Sequence, residues 1–76
     1  FKEGKSITRE TQNFDLSERE ISVLNLLSDG YNYQEIAETL FIAVDTVRHH
    51  IRNIYKKLHV HSQSEAVAKA IRKKII

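Results

Sequence analysis

Arg48, His49, Arg52 and Lys56 are spaced so that one helix would present them together. At about 100° per residue, Val47, Ile51, Ile54 and Leu58 fall in a narrow apolar stripe. His49, Arg52 and Lys56 lie almost opposite that stripe, with Arg48 on its flank. Such a face offers recognition chemistry rather than bond making: long side chains donate hydrogen bonds outward, and the groove of a nucleic-acid duplex is a natural acceptor. A helix that simply puts its charges in water has the same pattern, so the flanking sequence must decide between the two readings.

Four histidines, at 49, 50, 59 and 61, raise the question of a metal site. Adjacent His49 and His50 point about 100° apart on a helix, and no cysteine or nearby carboxylate cluster completes a ligand set. A groove-facing or phosphate-touching role accounts for them more simply, and neither a metal nor another cofactor is expected. Imidazole as a residue type titrates near pH 6.5, so a histidine on a DNA face would tighten binding on mild acidification. An enzyme reading has little to stand on. The chain has two glycines and no cysteine, hence no glycine-rich phosphate loop and no thiol nucleophile. A helical domain of 76 residues also has little concave volume for a substrate.

The elements that must position the donor face are legible from their caps. Ser17 followed by Glu20 is a capping box, and Leu16, Val23, Leu24 and Leu27 supply the buried stripe of a first helix that ends near Asp29 and Gly30. Asn32 and Glu35 repeat the pattern for a short second helix carrying Ile36, Ala37 and Leu40. Phe41, Ile42 and Ala43 form a turn, and a third helix runs from about Val44 to Leu58. Ser62 and Glu65 make a third capping box, opening a fourth helix through Ala66, Val67, Ala70 and Ile71. Nowhere is there strand-like alternation. The expected fold is all-α: a four-helix bundle containing a helix-turn-helix, whose second member enters the major groove. The small Ala37 would let the two helices of the pair cross closely.

Residues 1–15 mix both charge signs at zero balance and read as a linker or N-terminal arm, leaving 16–76 as the domain. Within that arm Phe14 is the exception, an apolar residue placed to fold back onto the first helical turns. The net charge is only +2, but its distribution is uneven. Residues 16–40 balance at minus four, whereas 41–61 and 62–76 each balance at plus three. That asymmetry is an electrostatic footprint for a polyanion. No apolar stretch approaches the roughly 18 residues of a membrane span. The expectation is a soluble, cytoplasmic domain; because the first residue is Phe1, an upstream targeting segment is left open.

Several segments then combine into a family pattern. Leu16-Ser17-Glu18-Arg19-Glu20, Leu26-Leu27-Ser28-Asp29-Gly30, Gln34-Glu35-Ile36-Ala37-Glu38, Leu40-Phe41-Ile42, Thr46-Val47-Arg48-His49-His50-Ile51, Asn53-Ile54-Tyr55-Lys56-Lys57-Leu58 and Glu65-Ala66-Val67 resemble the LuxR-type DNA-binding domain of FixJ- and NarL-like response regulators. The resemblance covers Leu16 to about Ile75. It implies sequence-specific binding of promoter DNA, commonly as a homodimer, at the C-terminal end of a two-component transcriptional regulator, with a receiver or sensor domain preceding it and RNA polymerase as a further partner. By that similarity Arg48, His49 and Arg52 occupy base-facing positions, and Tyr33, Gln34, Thr46 and Lys56 backbone-contacting ones. Donor chemistry agrees: arginine suits the paired acceptors of guanine, whereas lysine, threonine and glutamine suit phosphate oxygens.

Four positions depart from the family pattern. Ala43 stands where a serine or threonine usually caps the recognition helix, a loss on the order of 1 kcal/mol that Asp45 in the first turn would partly offset. Gln34 replaces a common lysine and Tyr33 a common asparagine, which lessens the charge at that edge of the groove. His59 replaces a common glycine, implying either a left-handed residue or a differently shaped turn. The fourth helix carries more apolar positions than one core stripe needs, so Val67, Ala68, Ala70 and Ile71 are candidates for a dimerisation surface, with Val67 and Ala70 alternatively plain core. The competing functional class is a protein-interaction module of the same fold group, similar to a sigma-factor region that docks on RNA polymerase. Arg48 and Arg52 early in the third helix favour DNA over that alternative.

Overall fold

The computed structural model describes residues 14–76, so most of the arm expected over 1–15 lies outside the described residues. It contains four helices: α1 (Glu18–Ser28), α2 (Tyr33–Leu40), α3 (Val44–Leu58) and α4 (Gln63–Arg72). These match the expected order and, within a residue or so, the expected bounds. Helix α3 is central and packs on each of the other three, while α4 packs on α1 and α3.

Local chemistry explains where the helices begin. At α1 the Ser17 hydroxyl accepts from the Glu20 amide at 3.1 Å, and the Glu20 carboxylate accepts from the Ser17 amide at 3.0 Å. Asn32 and Glu35 do the same for α2, at 2.8 and 2.9 Å. The third expected box forms only by half. Ser62 Oγ accepts from the Glu65 amide at 3.2 Å, but Glu65 Oε1 reaches one residue further back, to the His61 amide at 2.7 Å. Helix α3 starts at Ala43 without any side-chain cap.

The four helices end alike. A left-handed residue follows each: Gly30, Phe41, His59 and Lys74, with φ of 95°, 58°, 58° and 59°. The next residue donates its amide five positions back, Tyr31 to Leu26, Ile42 to Ala37, Val60 to Tyr55 and Ile75 to Ala70, all at 2.8–3.0 Å. This satisfies carbonyls that would otherwise face no donor, and after α2, α3 and α4 it sends Ile42, Val60 and Ile75 back toward the core. Of the two turns left open at His59, the left-handed one is present.

The core is the apolar set anticipated from periodicity. Val23, Leu24, Ile36, Val47, Ile54 and Leu58 are fully buried, and burying a side chain of this size contributes about 1.5–3 kcal/mol each. Ala66 and Ala70 of α4 are equally buried, and their small size lets α4 approach α1 and α3 closely. Phe14 is half-buried against this core, and the Lys69 ammonium lies 5.6 Å from its ring centre.

One buried polar group was not foreseen. Glu20, 4% exposed, is the capping residue of α1, yet its Oε1 also accepts from Lys57 Nζ on α3 at 2.8 Å. The same ammonium donates to the Asp15 carbonyl at 2.9 Å. Lys69 acts similarly, donating to the Leu58 carbonyl at the end of α3 at 2.8 Å.

Candidate nucleic-acid interface

The seam that holds α3 is complete: Val47, Ile51, Ile54 and Leu58 are all buried. Opposite it, Arg48, His49, Arg52 and Lys56 are exposed, as their spacing requires. Thr46, near the start of the helix, is half-buried.

The donors are not equally free. Arg48 Nη1 donates to Asp45 Oδ1 at 3.1 Å across one turn of α3. Both side chains are more than half exposed, so this is a surface pair whose contribution is about 0–1 kcal/mol and which an incoming acceptor can displace. His49 Nε2 lies 3.3 Å from Asn53 Nδ2, which fixes one ring nitrogen as a hydrogen-bond partner of the next turn. Arg52 and Lys56 form no ion pair among the described residues. Lys57, counted in the positive half of the sequence, is turned inward to Glu20, so its charge is compensated inside the domain.

Two open concavities flank the donor face. The first, of about 530 Å³, brings Tyr33 and Gln34 at the start of α2 together with Arg48, over a floor that includes Gly30, Tyr31 and Val44. The second, of about 470 Å³, holds Arg52 and Lys56 beside Tyr55, His59, Val60 and His61. The residues expected to touch DNA therefore fall into two groups, one toward the start of α3 and one toward its end, with His49 and Thr46 lining neither concavity. Tyr33 is more withdrawn than a backbone-contacting side chain requires. It is half-buried, and it neighbours the half-buried Tyr55 closely enough to influence that phenol. Burial pushes the Tyr55 phenol above its ordinary range, and neighbouring Tyr33 adds to the effect. This pairing ties α2 to α3 across residues 22 positions apart, which no local pattern signals.

The fourth helix requires one correction. Ala70 is fully buried against the core, so it cannot belong to an exposed surface. Val67 is half-buried, Ala68 exposed and Ile71 59% exposed, which leaves a smaller apolar patch on α4.

A short helix, a tight turn and a second helix with a buried seam and an outward donor face define the helix-turn-helix class. The chain belongs to the family described as bacterial regulatory proteins, luxR family, which matches residues 15–70. It is 44% identical over 61 residues to the oxygen regulatory protein NreC of Staphylococcus carnosus, covering 80% of this chain and 28% of NreC. It is 40% identical over 57 residues to the transcriptional regulatory protein DegU of Brevibacillus brevis, covering 75% of this chain and 24% of DegU. Among solved structures it resembles the response regulator ChrA of a heme-sensing two-component system, with a TM-score of 0.78 and 38% identity over 80% of this chain and 30% of that one. The chain thus spans 24–30% of the length of these relatives.

Proposed function

We infer that residues 16–76 form the sequence-specific, duplex-DNA-binding output domain of a transcriptional regulator of the response-regulator type, with α3 in the major groove. The observation that carries this reading is the outward donor face of α3, held rigid by a fully buried seam. Arg48, His49 and Arg52 read base edges; Lys56, Thr46, Gln34 and Tyr33 hold the sugar–phosphate backbone. Arg48 exchanges Asp45 for a base on binding, a swap that costs little because the Asp45 pair is exposed.

Membership in this family supports promoter DNA as the partner, and the likeness to the transcriptional regulatory protein DegU and the response regulator ChrA supports a regulatory role. The matched segment is a minor part of NreC and of ChrA, which supports a larger regulator in which a receiver or sensor domain precedes this one and residues 1–15 act as the connecting arm. Two copies meet on DNA through Val67, Ala68 and Ile71, and RNA polymerase is a further partner of the assembled complex. No helix among the described residues is long and apolar enough to cross a membrane, and a cytoplasmic location suits the proposed role.

A duplex titration across salt concentrations tests the reading. Each phosphate neutralised contributes about 0.9 to the log–log slope, so affinity should fall steeply as salt rises. Arg48→Ala should relax base preference at one position, costing about 1–3 kcal/mol on the preferred site, whereas Lys56→Ala should weaken all sequences alike. A protein-docking module of the same fold would show a flat salt response. Uniform losses from both substitutions would remove Arg48 from the base-reading set.

A further inference from the structure

The second concavity extends past the last turn of α3. It is lined by exposed Arg52, Lys56, His59 and His61 together with half-buried Tyr55 and Val60. Glu65, the acid next to this loop, is engaged by the His61 backbone amide and does not complete an ion pair with these cations among the described residues. His59 adopts φ 58° and ψ 48°, a conformation that is unfavourable for a side chain bearing a Cβ and that glycine adopts freely. Phe41 and Lys74 share the conformation, so the backbone alone signals nothing. What sets His59 apart is that its strained backbone delivers an exposed donor into a cation-lined hollow, while its imidazole makes no hydrogen bond to a protein group among the described residues. The left-handed turn that ends α3 thus also sets an unengaged imidazole beside Arg52 and Lys56.

The chemistry of the hollow suits an anion: Arg52 and Lys56 supply two cations, and His59 and His61 supply hydrogen-bond donors. Arg48 and His59 are 11 residues apart, about 16 Å along a helix axis. A cationic hollow that far from the proposed base reader suits the sugar–phosphate backbone rather than the same base edges. We propose that this concavity seats phosphodiester groups of the duplex beside the half-site, so that His59 and His61 extend the interface beyond the recognition helix. The proposal rests on the DNA-binding reading above.

Binding of the full chain to a short mixed-sequence duplex, followed by fluorescence anisotropy over a salt series, tests it. His61→Lys places a permanent cation in the hollow and should steepen the log–log slope by about 0.9. Asn25→Lys adds the same charge at an exposed position on α1 and should leave the slope unchanged. His59→Gly should bind several-fold more weakly while its melting temperature stays level or rises, because the strain is relieved as the donor is lost. Equal slope changes for the two lysine variants, or parental affinity for His59→Gly, would overturn the proposal while the DNA reading stands. A parent chain that fails to bind any duplex overturns both. Sodium pyrophosphate added without duplex, with the His59 and His61 imidazoles followed by NMR, separates the sources of phosphate. Saturable pyrophosphate binding, combined with variants indifferent to duplex, would make this a site for a free phosphate compound and would likewise overturn the proposal.

Discussion

Glu20 does two jobs with one oxygen, accepting from the Ser17 amide and from the Lys57 ammonium. Burial alone raises the pKa of its carboxyl, but the Lys57 bond, the Ser17 amide and the charges of Lys57 and His50 together outweigh burial and hold it below the ordinary 4.5. A carboxylate depressed in the folded state stabilises that state above its unfolded pKa, and the contribution disappears as pH falls through the folded value. Urea unfolding should therefore show stability declining below about pH 4.5. In Glu20→Gln the chain should lose about 1–2 kcal/mol at neutral pH, since one charged hydrogen bond is removed while the cap geometry is kept. That variant should also lack this part of the acid decline. None of this pairing was visible in the sequence, where Ser17 and Glu20 read completely as a local cap. Position 57 lies 37 residues away, and only the packing of α3 on α1 brings it near.

At the scale of elements, sequence and structure agree best where the determining interactions are local. Ser17 with Glu20 and Asn32 with Glu35 work over three residues, and both boxes form. Ser62 with Glu65 has the same spacing, yet Glu65 takes the His61 amide instead, because which of two neighbouring amides is nearer depends on how the chain enters α4. The donor face of α3 was readable from period alone; the Arg48–Asp45 pair was not, since it is a choice of rotamer. Two predictions belong here. Ala43→Ser should supply the missing cap of α3 and raise stability by about 0.5–1 kcal/mol, read as a higher urea midpoint at unchanged slope. Phe41 is left-handed and 93% exposed, so Phe41→Gly sacrifices little packing and should raise stability by up to about 1 kcal/mol in the same measurement. A midpoint that falls would mean that the Phe41 ring stabilises the turn through contacts its exposure does not suggest.

For the molecule as a whole, the charge asymmetry of the sequence overstates the cations offered to a partner. Lys57 is compensated by Glu20, and Lys69 is occupied by the Leu58 carbonyl and the Phe14 ring. On the outward face of α3 this leaves Arg48, Arg52 and Lys56 as the exposed cations, and these are the ones proposed for recognition. The same view bears on assembly. With Ala70 in the core, the apolar surface of α4 centres on Ile71. Sedimentation of the Ile71→Glu variant should show loss of paired binding on DNA containing two half-sites, with single half-site affinity retained. Identical sedimentation to the parent would place the partner contact elsewhere.

The lysine bonds also have a mechanical consequence. Phe14 and Asp15, where the chain enters the domain, are gripped by Lys69 and Lys57, and those two side chains also hold the last turn of α3 and the first turn of α1. A displacement of Phe14 or Asp15 is therefore coupled to the C-terminal end of α3 through Lys69 and Lys57, as well as through the packing of Phe14 on the core. The place where the chain enters the domain and the helix that carries the donor face are fastened by the same two side chains.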